Sequence, residues 1–125
     1  MDELGWKTGQ RRADDAAARL PVGLFSFAWG ISVEEISAAT RRSAEAAFAR
    51  QGVMYLCRVG VGLSLSRVAH AFGRDRSTIA HACRIIEDRS DMPQFDAWIG
   101  ALEDSARAAP PPTKPSFGWR DGVMA

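Results

Sequence analysis

Histidine, cysteine and tyrosine are scarce in this chain: two, two and one among 125 residues. Cys57 and Cys83 lie far apart, each inside an apolar helical pattern and neither with a second ligand at metal spacing. Both read as reduced core thiols, not as a disulfide or a metal site. Cys83 and His81 are two positions apart, so a helix turns them to different sides. With no paired carboxylates and no metal-ligand cluster, no catalytic residue, metal or cofactor is assigned, and an enzyme is not expected. A G-x-x-x-x-G-K-[ST] phosphate loop is also missing, which leaves no nucleotide among the expected ligands. No stretch reaches the roughly 18 apolar residues of a membrane span. The start, "MDELGWKTGQRRADDAA", lacks the basic-then-apolar order of a signal peptide. The expectation is a cytoplasmic, nucleoid-associated protein with no membrane partner.

Charge is present, and unevenly placed. The net charge is +1, yet residues 1–40 and 91–125 each carry −2. Between Arg41 and Ser90, nine arginines (41, 42, 50, 58, 67, 74, 76, 84 and 89) face Glu45, Asp75, Glu87 and Asp88, a net of +5. A basic centre built of arginine suits phosphate, because the planar guanidinium offers paired donors. A solvated helix face would show the same charge, so charge alone does not choose between them.

The length fits one domain with tails, since domains commonly hold about 100–150 residues. The expected division is a flexible arm over 1–12, a helical domain over 13–107 and a flexible tail over 108–125. Pro21 suits the first turn of a helix, which places one at about 22–29, with a separate helical piece ahead of it. Gly30 closes it, and Ser32 with Glu35 forms a capping box for a short helix over 33–38. Ser43 then opens a longer run, "SAEAAFARQGVMYLCRVG". Gly52 costs that helix about 1 kcal/mol against alanine, so its use is close approach of another helix or a local kink. "GVGLS" ends the run, and Ser64 caps the next helix.

Leu65, Val68, Ala69 and Phe72 make that helix short and amphipathic. Gly73 breaks it, and Ile79, Ala82, Cys83 and Ile86 repeat the same spacing. Two helices joined by so short a glycine turn form a helix-turn-helix over about 64–89. In such a unit the second helix enters the DNA major groove with its first residues nearest the base edges. Arg74, Asp75, Arg76, Ser77 and Thr78 stand there, while His81 and Arg84 lie further along, within reach of phosphates. The first turn also offers backbone N–H groups and a partial positive charge. Plainer roles stay open: Asp75 as a helix cap, Ser77 and Thr78 as ordinary first-turn residues, His81 as a packed core histidine.

These residues carry a more specific likeness. "LSLSRVAHAFGRDRSTIAHACRIIED" resembles the C-terminal DNA-binding domain, domain IV, of the bacterial replication initiator DnaA, with its hallmark F-G-(G)-R-D-H-T/S-T-V-x-H-A-C-x-K-I. Upstream, "ARQGVMYLCRV" is similar to that family's P-R-Q-x-A-M-Y-L helix. The likeness spans about Arg41 to Leu102. It implies an all-α fold with a long helix before the helix-turn-helix and a bracing helix at about Pro93–Arg107. It also implies Asp75, Arg76 and Ser77 at bases, Thr78 at a base or its methyl group, Arg74, His81 and Arg84 toward the backbone, and Arg50 and Gln51 near the DNA. Arg41, Arg42, Ser66 and Arg67 are further candidates for backbone or minor-groove contact.

Departures from the family pattern are equally informative. Arg76 replaces the family's histidine, which suggests guanine reading and a site other than the standard DnaA box. Phe48 stands where the family has an arginine that reaches the minor groove, and Ile85 replaces a lysine used near phosphate. An initiator also needs an ATPase module, and the phosphate loop is missing. Short stand-alone proteins of this type occur in alphaproteobacteria, among them activators of gene transfer agents. After Arg107, "AAPPPTKPSFGWRDGVMA" reads as extended, and Phe117 and Trp119 are candidates either for docking a partner or for folding back on the domain. Three functions remain: a promoter-binding transcription regulator acting on double-stranded DNA with a co-activator or RNA polymerase; a replication or nucleoid factor competing for DnaA-like sites; or an adaptor that no longer binds DNA.

Overall fold

Six α-helices, with no strand among the described residues, build the chain: α1 (Glu3–Trp29), α2 (Val33–Ser37), α3 (Ala44–Tyr55), α4 (Leu65–Phe72), α5 (Arg76–Arg89) and α6 (Pro93–Ala108). The computed structural model describes residues 3–38 and 43–112, with side chains from Arg12 onward. The C-terminal tail beyond Pro112, with Phe117 and Trp119, lies outside the described residues, as do Arg41 and Arg42.

α1 departs most from expectation. The stretch read as a loose arm is helical from Glu3, and the helix runs through Pro21 instead of starting after it. Proline inside a helix forfeits one backbone bond and costs about 3 kcal/mol. Packing on both sides of it offsets this: Ala17 and Ala18 before, Val22, Leu24, Phe25 and Ala28 after, all lie on one core, and Pro21 itself is buried. Asp14 adds a polar tie, since its buried carboxylate accepts from Arg67 on α4. Gly30, at φ 79°, ends the helix with its N–H on the Ser26 carbonyl.

Ser32 and Ser64 cap as expected, and Ser43 adds a third cap. The Glu35 carboxylate meets the Ser32 hydroxyl at 3.5 Å, so only the serine half of the expected capping box forms. Ser32 Oγ accepts from the Glu35 N–H at 3.1 Å, Ser43 Oγ from Ala46 at 3.0 Å and Ser64 Oγ from Arg67 at 3.2 Å. Each satisfies a donor that a helix start leaves over. α3 does not stop at Tyr55 but widens into a π-helical segment, Leu56–Val61, which Gly62 closes. α6 lies against this segment. At Gly60 an added Cβ would stand 2.8 Å from Ala106 Cβ, and Tyr55 donates to Glu103 Oε1 at 2.6 Å. Burial and that acidic partner push the Tyr55 hydroxyl up from its ordinary range.

Val53, Leu56, Val68, Ile79, Ile86 and Ile99 form a shared core with Phe25. Each such side chain taken from water contributes about 1.5–3 kcal/mol. Cys57 is fully buried there and Cys83 half-buried, both as free thiols. Burial raises both, Cys57 to about 12. At the α2 end, five rings from three helices meet: Phe25 and Trp29, Phe48, and Phe95 with Trp98. Trp29 also donates its indole N–H to Glu45 at 2.8 Å. The long gaps between these positions hid the cluster from any periodicity.

Candidate nucleic-acid interface

α4 and α5 meet through the three residues Gly73, Arg74 and Asp75. Gly73 takes the left-handed conformation at φ 62°, donating to the His70 carbonyl at 3.3 Å, and the Arg74 N–H reaches the Ala69 carbonyl at 2.9 Å. That pair of bonds ends α4 and turns the chain at once into α5. Asp75 occupies the N-cap, its carbonyl accepting from Thr78 and Ile79 at 3.0 and 3.3 Å. Its carboxylate, however, makes no cap bond and is exposed. Of the two roles open to Asp75, the cap is one its side chain does not perform in this structure.

The rest of α5 divides cleanly by face. Ile79, Ala82 and Ile86 are buried against the core, while Arg76, Ser77, Thr78, His81 and Arg84 are all exposed. His81 is therefore not a packed core histidine. It lines a shallow recess between α3 and α5 with Arg50, Gln51, Arg74 and Thr78, floored by Ala47, Met54 and Ala82. A second depression continues along the same seam, sharing Ala47 and Gln51 and adding Phe48, Ile85 and Arg89. On the opposite side of the turn, Ser66 and His70 join Arg74, Asp75 and Arg76 around a wider open groove.

The central arginines separate into two groups. Arg50 Nη1 donates to the Glu35, Ile36 and Ala38 carbonyls at 3.3, 3.5 and 3.4 Å. It thereby holds the end of α2, where a helix leaves carbonyls over and a cation is favoured. Arg67 donates through Nε and Nη2 to Asp14 Oδ1 at 2.9 and 2.6 Å, and Arg58 donates to the Leu63 carbonyl at 3.0 Å. Sequence reasoning placed Arg50 and Arg67 toward DNA, but both guanidiniums are engaged within the fold. Arg74, Arg76, Arg84 and Arg89 are exposed and make no hydrogen bond or ion pair among the described residues. All four lie on the turn or on α5. Arg89 alone was not singled out from the sequence, and its guanidinium carbon lies 5.0 Å from the centre of the Phe48 ring.

A glycine-turned helix pair with an exposed, polar, arginine-bearing first turn defines a helix-turn-helix protein of the DNA-binding class. Comparison with known proteins narrows this. Residues 26–86 match the family model described as the bacterial dnaA protein helix-turn-helix. The chromosomal replication initiator protein DnaA 1 of Chlamydia pneumoniae is 33% identical over 79 residues, 63% of this chain and 17% of that protein. The DnaA initiator of Tropheryma whipplei is 49% identical over 47 residues, 38% of this chain and 10% of that one. A crystal structure of a DNA replication initiation factor superposes with a TM-score of 0.66 at 30% identity, covering 83% of this chain and 31% of the other. A replication initiator DnaA bound to AMPPCP and single-stranded DNA superposes equally well, with a TM-score of 0.66. This chain is a DnaA domain IV-like helix-turn-helix protein. It spans under a fifth of the length of the curated relatives it matches. No helix among the described residues is long and apolar enough to cross a membrane.

Proposed function

We propose that this chain is a sequence-specific regulator of transcription that binds double-stranded DNA, acting as a promoter-binding activator together with a protein partner. One observation carries the DNA reading: the arginines of the turn and of α5 are exposed without an internal hydrogen bond or ion pair among the described residues, while Arg50, Arg58 and Arg67 are engaged within the fold. Arg76 pairs with a guanine edge, and the Asp75 carboxylate accepts from a cytosine amino group. Ser77 and Thr78 complete the base contacts. Arg74, His81 and Arg84 hold phosphates, which set register and carry no sequence information.

The regulator reading rests on Arg76, which stands where the initiator family has histidine and so directs this chain to a different site. Gene transfer agent activators are the group it fits best. Its partner, a co-activator or RNA polymerase, would meet the acidic flanks or the Phe117 and Trp119 region. Genome-wide occupancy of the tagged protein by chromatin immunoprecipitation, beside a strain carrying Arg76→Ala, tests this. Peaks at a few promoters that vanish in the variant support it. Peaks over the replication origin support a competitor of the initiator instead, and absence of any peak leaves the adaptor.

A further inference from the structure

We infer that Arg89, seated on the ring of Phe48, holds the DNA phosphate backbone at the far end of α5. This deepens the DNA reading above and rests on it. The sequence pattern gives no hint of the role, because Arg89 lies outside the motif and reads there as an ordinary last-turn cation.

Three features of the fold point to it. First, Thr78, His81, Ile85 and Arg89 succeed one another at spacings of three, four and four, so they form one stripe along the side of α5 that faces α3. Thr78 and His81 line the first recess on that seam, Ile85 and Arg89 the second, and Ala47 and Gln51 belong to both. Glu87 falls on the other side of the helix, while the exposed Asp88, three residues after Ile85, borders the stripe on the side away from Arg89. Second, eleven residues of helix rise about 16 Å, whereas the major groove is about 12 Å wide. With the start of α5 at the base edges, Arg89 stands at the level of the sugar-phosphate wall and not over bases.

Third, the side chain is supported. The Phe48 ring beneath it is fixed by Trp29, Phe95 and Phe25 at centroid distances of 5.4, 6.0 and 6.5 Å. A guanidinium over an aromatic face is attracted by the ring quadrupole and keeps its N–H edges open for phosphate oxygens. Phe48 therefore serves two ends: it closes the aromatic cluster and places a cation beside α3. Ile85, next to it on the stripe, brings no charge, so Arg89 is the cation of this part of the seam.

The test uses the full chain and short duplexes of random sequence, with binding followed by fluorescence anisotropy across a salt series. Arg89→Ala should lower the slope of log affinity against log salt by about 1, the loss of one phosphate contact, with a drop of several fold at low salt. Arg89→Lys should keep the slope, and Phe48→Leu should weaken binding while thermal melts show each variant folded. Arg84→Ala is the internal control. If it lowers the slope while Arg89→Ala leaves it unchanged, Arg89 is only a helix-end cation and this inference fails alone. If the unaltered chain shows no salt-dependent binding, the DNA reading fails and takes this inference with it.

Discussion

Gly52→Ala is the sharpest probe of the fold that positions α5. Gly52 lies inside α3, where alanine would ordinarily gain about 1 kcal/mol of helix stability. Here an added Cβ would overlap Phe25 Cε2 and stand 2.5 and 2.9 Å from Cζ and Cδ2 of the same ring. The ring has nowhere to go: it is fully buried, and Trp98, Trp29 and Phe48 surround it at centroid distances of 5.3, 5.8 and 6.5 Å. Overpacking of this kind costs about 1–3 kcal/mol or more, and a boxed ring belongs at the upper end. After the propensity gain, a net loss of about 2 kcal/mol is expected. For a domain of this size that lowers Tm by about 10 °C. Gly100→Ala provides the contrast, because Gly100 sits in α6 with nothing within 4 Å of its Cβ position. The same substitution there should raise Tm by a few degrees. Melts by circular dichroism on both variants decide the matter, and a Gly52→Ala protein as stable as the parent would refute the packing of α1 on α3.

The site and the core supply two more expected outcomes. Asp75→Ala should cost only a few tenths of a kcal/mol, since its carboxylate makes no cap bond, whereas Ser64→Ala, which removes the acceptor for the Arg67 N–H, should cost about 1 kcal/mol. Equal losses in urea titrations would contradict the cap assignment. The thiol of Cys57 ionises near 9 when unfolded and is raised to about 12 in the fold, by burial and then by Cys83. The folded state thus binds more protons above pH 9, so this contribution is intact below that pH and is lost as pH climbs from 9 toward 12. Urea midpoints should be lower at about pH 10 than at about pH 8, less so in Cys57→Ala, and a midpoint that does not move would argue against a buried thiol.

Much of this molecule is written locally. Serine caps at 32, 43 and 64, the glycine turn at 73 and the apolar spacing of α4 and α5 depend on neighbours within four residues, so the sequence declares them. The helix-turn-helix and the exposed polar start of α5 are built from these, as is the likeness to DnaA domain IV. Close packing at Gly52 was also legible, because a glycine within a helix needs a reason.

Features that depend on residues far apart in the chain were closed to the sequence. Helix propensity marks Pro21 as a start, but packing of Ala17, Ala18 and Phe25 on a common core carries α1 straight through it. Arg50 and Arg67 look identical to Arg74 and Arg84 in a row of letters. Only folding brings the α2 carbonyls to one and Asp14 to the other, giving both guanidiniums partners within the fold. Conversely, Arg89 gains meaning only when Phe48 arrives beneath it from α3. A residue's type decides what it can bind; whether it remains available is decided by which partner the tertiary fold brings within about 4 Å.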